Sequence, residues 1–137
     1  MRVYLDTSVL VSLMVLDANT DRALQLAANQ FIVSDLTAAE FASALAIRFR
    51  TGSLTEDEVC SAHILFDGWR TRNAESAEIL SADIRAAEAI IRTLNHPLKT
   101  ADATHIVIAR RLGVVLATFD ARMAREAPRL GLQLAEP

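Results

Sequence analysis

The stretch from Val3 to Leu16, VYLDTSVLVSLMVL, holds one formal charge, Asp6, among fourteen residues that are otherwise uncharged and mostly apolar. Val3, Tyr4 and Leu5 show no polar alternation, the pattern of a strand covered on both faces, as in a parallel sheet packed between helices. Thr7 and Ser8 are helix-start residues, and Val9, Leu10, Leu13 and Leu16 recur at helical spacing, so the strand turns directly into a helix. Asp6 then stands at the carboxyl end of the strand, the edge outside which open parallel sheets bind ligands. Asp is also a favoured helix N-cap, and for Asp6 alone capping explains the position as well as function does. A carboxylate in mid-run argues against a signal peptide, and fourteen residues do not cross a bilayer.

The same unit returns along the chain. Phe31 to Val33 reads as a second apolar strand, followed by Ser34 and Asp35 as capping residues. Val114 to Ala117 reads as a third, with Thr118 and Asp120 at its end. Between them, Asp17 to Thr20 is turn-like and Asp21 to Asn29 forms a short helix. Thr55 and Glu58 make a capping box ahead of a stripe of Val59, Ala62, Leu65, Phe66 and Trp69. Glu78 to Ser81 is a strand candidate, and Asp83 caps a helix carrying Ile84, Ala87, Ile91 and Leu94. Asn95, His96 and Pro97 break the chain, Gly113 closes the next helix, and a last helix from Asp120 to Glu126 stops at Pro128 before an edge strand at Leu130 to Leu134. Strands alternating with helices predict an α/β fold with a central, mainly parallel sheet of four to five strands and helices on both faces. A chain of 137 residues suits a single domain spanning 1–137.

Two helices repeat the anomaly of the opening stretch. From Leu36 to Ile47 (LTAAEFASALAI) the only charge is Glu40, which predicts a helix buried all round. A carboxylate there must be protonated, paired with a cation or bound to a metal. In TADATHIVIA, Thr100 to Ala109, the lone formal charge is Asp102. His105, three residues on, shares its face and suits either a supporting hydrogen bond or a satisfied interior position. His63 reads as a half-exposed helix residue without a role.

Asp6 and Asp120 share the carboxyl edge of the sheet, and Glu40 and Asp102 sit early enough in their helices to point toward it. Four converging carboxylates repel one another, and oxygen-only clusters are what Mg²⁺ and Mn²⁺ prefer. Such an ion generates a nucleophile from bound water and stabilises a leaving oxygen, so phosphodiester hydrolysis needs no catalytic Cys or Ser. With 14 basic and 17 acidic residues the net charge of −3 gives no global attraction to polyanions, so phosphates must be held locally. The aromatic share, 5%, argues against base stacking as the mode of binding. The single Cys60 excludes an internal disulfide and a thiolate zinc site and fits a reducing cytoplasm.

These residues resemble the PIN-domain ribonucleases, and among them the toxins of VapBC-type toxin–antitoxin pairs. The resemblance rests on YLDTSVLV at the start, DLTAAE from Asp35 to Glu40, LKTADATHI from Leu98 to Ile106 and ATFD from Ala117 to Asp120. It implies a three-layer α/β/α domain in which Asp6, Glu40, Asp102 and Asp120 hold Mg²⁺ or Mn²⁺ for endonucleolytic RNA cleavage. Thr7, Ser8 and Thr118 resemble the hydroxyl residues that support the acids. Where many relatives carry a Lys in the first helix, this chain has Ser12. The resemblance further implies a homodimer, a VapB-type antitoxin whose tail fills the groove, and targets such as tRNA, rRNA or mRNA; separately, the net charge of −3 predicts no attraction to anionic membranes. Arg48, Arg50, Lys99 and Arg122 are the cations placed to hold RNA phosphates. Two other readings compete. A strand ending in Asp-Thr-Ser-Val resembles HAD-type phosphatases, although that family has a second Asp where Ser8 stands. A non-catalytic binding module would use the acids as caps and ion-pair partners.

Overall fold

A computed structural model describes residues 1–136; Pro137, the last residue of the expected domain, lies outside the described residues. The elements are β1 (Arg2–Leu5), α1 (Thr7–Met14), α2 (Thr20–Gln25), β2 (Gln30–Ser34), α3 (Asp35–Arg50), α4 (Glu56–Asn73), β3 (Ala74–Ala77), α5 (Ser81–Arg92), α6 (Thr100–Leu112), β4 (Val115–Ala117) and α7 (Ala121–Arg129). The strands form one sheet in the order β3-β2-β1-β4, with every pairing parallel.

Successive side chains on a strand face opposite ways, and here both faces are covered. Val3, Leu5, Phe31, Val33 and Ala117 pack with Val9, Ala23 and Leu26 on one side. Tyr4, Ile32, Ala77 and Leu116 pack with Ala87, Ile106, Met123 and Ala127 of α5, α6 and α7 on the other. A third cluster of Leu10, Met14, Phe41, Leu45, Ala62 and Phe66 joins α1, α3 and α4. Each fully buried Leu, Ile or Phe in these layers contributes about 1.5–3 kcal/mol relative to an exposed one. The result is the α/β/α sandwich expected from the alternating strands and helices, with four strands.

Chain direction across the sheet fixes the site. From β1 the chain steps outward to β2 and β3, then crosses to the far side of β1 as β4. The crevice outside the carboxyl ends of β1 and β4 is therefore the switch point of the sheet, the usual ligand position in this architecture. Asp6 N–H donates to Ala117 O at 3.0 Å, which extends the ladder to the acid itself.

Several boundaries differ from the sequence reading. The third strand in chain order is Ala74–Ala77, not Glu78 to Ser81. Helix α4 passes into it without a loop, Ala74 serving as both C-cap and first strand residue, and Phe31 to Ser34 supply the ladder that its own weak β-propensity does not demand. Helix α3 is not buried all round. Its covered stripe is Thr37, Phe41 and Leu45, and Ile47 and Phe49 are exposed because only one side meets α1 and α4. Helix α1 ends at Met14, leaving Leu16 in solvent, and α2 stops at Gln25. Leu65 is half exposed, outside the stripe that Phe66 buries. Leu94 lies beyond α5 at φ 63° and is 91% exposed. Helix α7 runs through Pro128, which is tolerated because it falls in the last turn, where Leu130 N–H closes onto Glu126 O and Ala127 O. The expected edge strand reduces to one parallel bridge, Leu116 to Leu134.

Candidate metal centre and active-site groove

Asp6 occupies the N-cap position of α1, yet its side chain makes no capping bond. Both Ser8 Oγ, at 2.6 Å, and Thr118 Oγ1, at 2.7 Å, donate to Asp6 Oδ2. Ser8 Oγ in turn accepts from Phe119 N–H at 2.9 Å, so the hydroxyls have their own fixed partners. One oxygen of a buried carboxylate is thereby occupied. The other, Oδ1, faces His105 Nε2 at 3.9 Å.

Glu40 sits in the second turn of α3, half buried. Its Oε1 accepts from Thr7 Oγ1 at 3.1 Å and bonds His105 Nε2. Burial pushes the Glu40 carboxyl up, but the hydrogen bond and charge of His105, with the Thr7 hydroxyl, outweigh it and hold the group below the usual carboxylate range. Of the two readings of His105, the hydrogen bond to Asp102 does not form and the satisfied interior position holds. His105 is fully buried and is committed to Glu40 on one ring nitrogen and to Tyr4 on the other, Nδ1 to Oη at 2.8 Å. Tyr4 Oη also lies 2.7 Å from Ser34 Oγ, which accepts from Thr37 N–H, and Thr37 Oγ1 donates to Leu5 O. Burial pushes the Tyr4 hydroxyl up to about 12, so it keeps its proton under ordinary conditions.

Asp102 is the third residue of α6, half buried, and accepts from Lys99 N–H at 3.3 Å. Its carboxyl is raised first by burial, then, against that backbone bond, by the charges of Asp120, Asp6 and Glu40. Asp120 is exposed and does cap its helix, Oδ1 accepting from Met123 N–H at 2.8 Å. The capping reading thus fails for the Asp6 side chain and holds for Asp120. Asp83, expected as the cap of α5, is instead its third residue: Leu80 is the N-cap, and Asp83 Oδ2 accepts from Leu80 N–H at 2.9 Å while Oδ1 pairs with Arg111 Nε at 2.8 Å, away from this site.

One groove is lined by Glu40, Lys99, Asp102, Asp120, Arg122 and Arg125. A second, sharing Asp120, is lined by Thr7, Ser8, Ser12, Asp17, Arg48 and Phe119 among others. Of the candidate phosphate-binding cations, Lys99 and Arg122 face the first groove and Arg48 the second, where it lies 4.0 Å from Asp17. Arg50 lies at the exposed end of α3 and lines neither. Ser12 is buried and donates to Asp17 Oδ2 at 2.9 Å. Arg125 is legible in the sequence only as a cation three residues after Arg122 on one helix face, and no sequence spacing reveals that His105 meets Glu40, 65 residues away.

The donor set fits a divalent cation. Ligand atoms of Asp6, Glu40 and His105 all lie within 4.8 Å of one another. Asp102 and Asp120 add carboxylates at the same edge, and the hydroxyls of Thr7, Ser8 and Thr118 orient the inner pair as supporting groups orient ligands elsewhere.

Comparison with known proteins agrees with this architecture. The PIN domain family matches residues 3–127. A curated relative, Ribonuclease VapC3 of Pyrobaculum aerophilum, is 27% identical over 132 residues, 95% of this chain and 98% of the relative. Among solved structures, VapC20 of Mycobacterium tuberculosis, described as a sarcin-ricin loop cleaving toxin, superposes with a TM-score of 0.73 at 18% identity over 98% of this chain and 99% of its own. VapBC2 of Rickettsia felis, bound to a DNA fragment from its promoter, gives 0.69 at 17% identity over 98% of each chain. At these identities the structural matches establish the fold.

Proposed function

The chain belongs to the PIN-domain family, and from that premise we propose that it is a metal-dependent endoribonuclease acting as the toxin of a type II toxin–antitoxin pair. The observation that carries this reading is the division of labour on Asp6: Oδ2 is held by two hydroxyls while Oδ1, Glu40 Oε1 and His105 Nε2 converge beside a groove that also bears Asp102 and Asp120. A bound Mg²⁺ or Mn²⁺ would supply Lewis acidity and an activated water, and Asp6, Glu40, Asp102 and Asp120 are the carboxylates that would hold it. Lys99, Arg122 and Arg125 place positive charge on the groove wall, where phosphate oxygens of a strand can be held in register with the acids. Thr7, Ser8 and Thr118 keep the carboxylates oriented.

The phosphatase alternative has no support: the position two residues after Asp6 is Ser8, whose hydroxyl is engaged by Asp6 Oδ2. The reading brings protein partners with it, a VapB-type antitoxin whose tail fills the groove and a second copy of the chain. Ile47 and Phe49 on α3, with Ile64 and Leu65 on α4, are exposed apolar side chains of the kind such contacts cover. No helix among the described residues is long and apolar enough to cross a membrane, and the proposed setting is the cytoplasm.

The test is incubation of the purified chain with a mixed RNA pool and Mn²⁺, beside Asp6→Asn and Asp102→Asn. Cleavage by the parent and none by either variant is the expected result. Cleavage that persists in both variants sinks the site assignment.

A further inference from the structure

We infer that His105 Nε2 is itself a ligand of the ion, making the centre a mixed imidazole–carboxylate site that selects first-row transition ions such as Mn²⁺ over Mg²⁺. The inference rests on the metal-dependent reading above and goes beyond it, since the acids alone form an all-oxygen set. His105 is the one histidine among the described residues with a ring nitrogen in the group formed with Asp6 and Glu40. Its ring is wholly buried, so the donor is held in place rather than swinging in from solvent.

The hydroxyl chain behind the ring makes ligation workable. Without an ion, Nδ1 pairs with Tyr4 Oη and Nε2 with Glu40 Oε1, so both ring nitrogens are engaged. A ligating ring would be neutral, with the ion in place of any proton on Nε2 and its single N–H on Nδ1 donating to Tyr4 Oη, while Tyr4 turns its own proton toward Ser34 Oγ, 2.7 Å away. Nε2 then presents a lone pair to the site. Hydroxyls both donate and accept, so the buried polar atoms of Tyr4, Ser34 and His105 stay paired in both arrangements and no desolvation penalty opposes the change. A ligating imidazole normally has its other nitrogen fixed by such a partner. Imidazole is a poor ligand for Mg²⁺, which keeps oxygen donors and water, whereas affinity rises from Mn²⁺ along the first transition row.

The experiment is electron spin-echo modulation spectroscopy on the full chain loaded with Mn²⁺, which reads nitrogen bound to the ion without reference to activity. The expected result is a directly coordinated nitrogen whose signature changes when the protein is grown with ¹⁵N-histidine. It should vanish in His105→Gln and persist in His63→Gln and His96→Gln. In titration calorimetry, His105→Gln should weaken Mn²⁺ binding by about 10–100-fold while Mg²⁺ binding changes little. Should His105→Gln fail to fold, the isotope shift in the parent protein decides alone. Mn²⁺ bound with no coordinated nitrogen overturns the inference and leaves the metal-dependent reading standing. Absence of any Mn²⁺ uptake overturns both.

Discussion

Replacing Asp102 by Asn should stabilise the metal-free protein while removing most of its response to metal. The Asp102 carboxyl is half buried, and beyond that burial it is raised by the charges of Asp120, Asp6 and Glu40. The amide of the Asp102→Asn variant keeps an oxygen for Lys99 N–H, so the change removes a charge without removing the cap-like hydrogen bond. After screening in a half-exposed groove, relief of this repulsion amounts to about 0.5–1 kcal/mol. For a chain of this length that raises Tm by roughly 2–4 °C. The sign with pH follows from the direction of the shift. A carboxyl whose folded value lies above its unfolded one binds protons more tightly in the native state, so its contribution to stability falls as pH rises past the ordinary Asp value of about 3.9. The gap between variant and parent should therefore widen from acid toward neutral pH. Added Mn²⁺ at about a hundred times its Kd should stabilise the parent by about 2.7 kcal/mol, and the variant much less. Thermal melts in EDTA and in Mn²⁺ read both effects. A variant that melts below the parent in EDTA, or that gains as much from Mn²⁺, refutes the reasoning.

Two further outcomes follow. Asp83 is pushed up by burial, but hydrogen bonds from Arg111 and Leu80 N–H, with the Arg111 charge, hold it below the usual range. Its contribution to stability is present above the unfolded Asp value and lost as pH falls through the folded one, so Asp83→Asn should flatten the acid limb of stability against pH, read by urea melts; an unchanged acid limb contradicts the pairing. Arg122→Glu together with Arg125→Glu should weaken binding of a short single-stranded RNA in EDTA and reduce the salt slope by about 1–2, read by fluorescence anisotropy, whereas an unchanged slope removes these cations from the path of the strand.

Much of the fold is legible in the sequence because a parallel sheet announces itself through unbroken apolar runs. Val3 to Leu5, Phe31 to Val33 and Val114 to Ala117 carry that signal, and the neighbouring Asp6, Ser34 and Asp120 mark the edge. The position of β3 is not legible, because Ala74 to Ala77 holds no β-branched or aromatic residue and its strand state comes wholly from the β2 ladder. The sequence overstates the burial of α3 because alanines are compatible with water and core alike; the apolar content of LTAAEFASALAI exceeds the number of its faces that meet a neighbour. The isolated acids stand out because charge in an apolar run is costly. The Tyr4–His105–Glu40 connection gives no such sign, since each partner fits its own element locally and only the packing of α6 across β1 and α3 brings them together.

The alternation of β1 has a consequence for how changes in this chain combine. Val3 and Leu5 belong to one core and Tyr4 to the other, with the sheet backbone as a partition between them. Substitutions drawn from opposite compartments and sharing no neighbour accumulate as independent increments. Tyr4 is the exception, because its ring is a packing residue and its hydroxyl leads through His105 to the acids. A chain built this way can drift widely in one compartment without resetting its chemistry, while a shift of the Tyr4 ring registers as both lost packing and a displaced carboxylate.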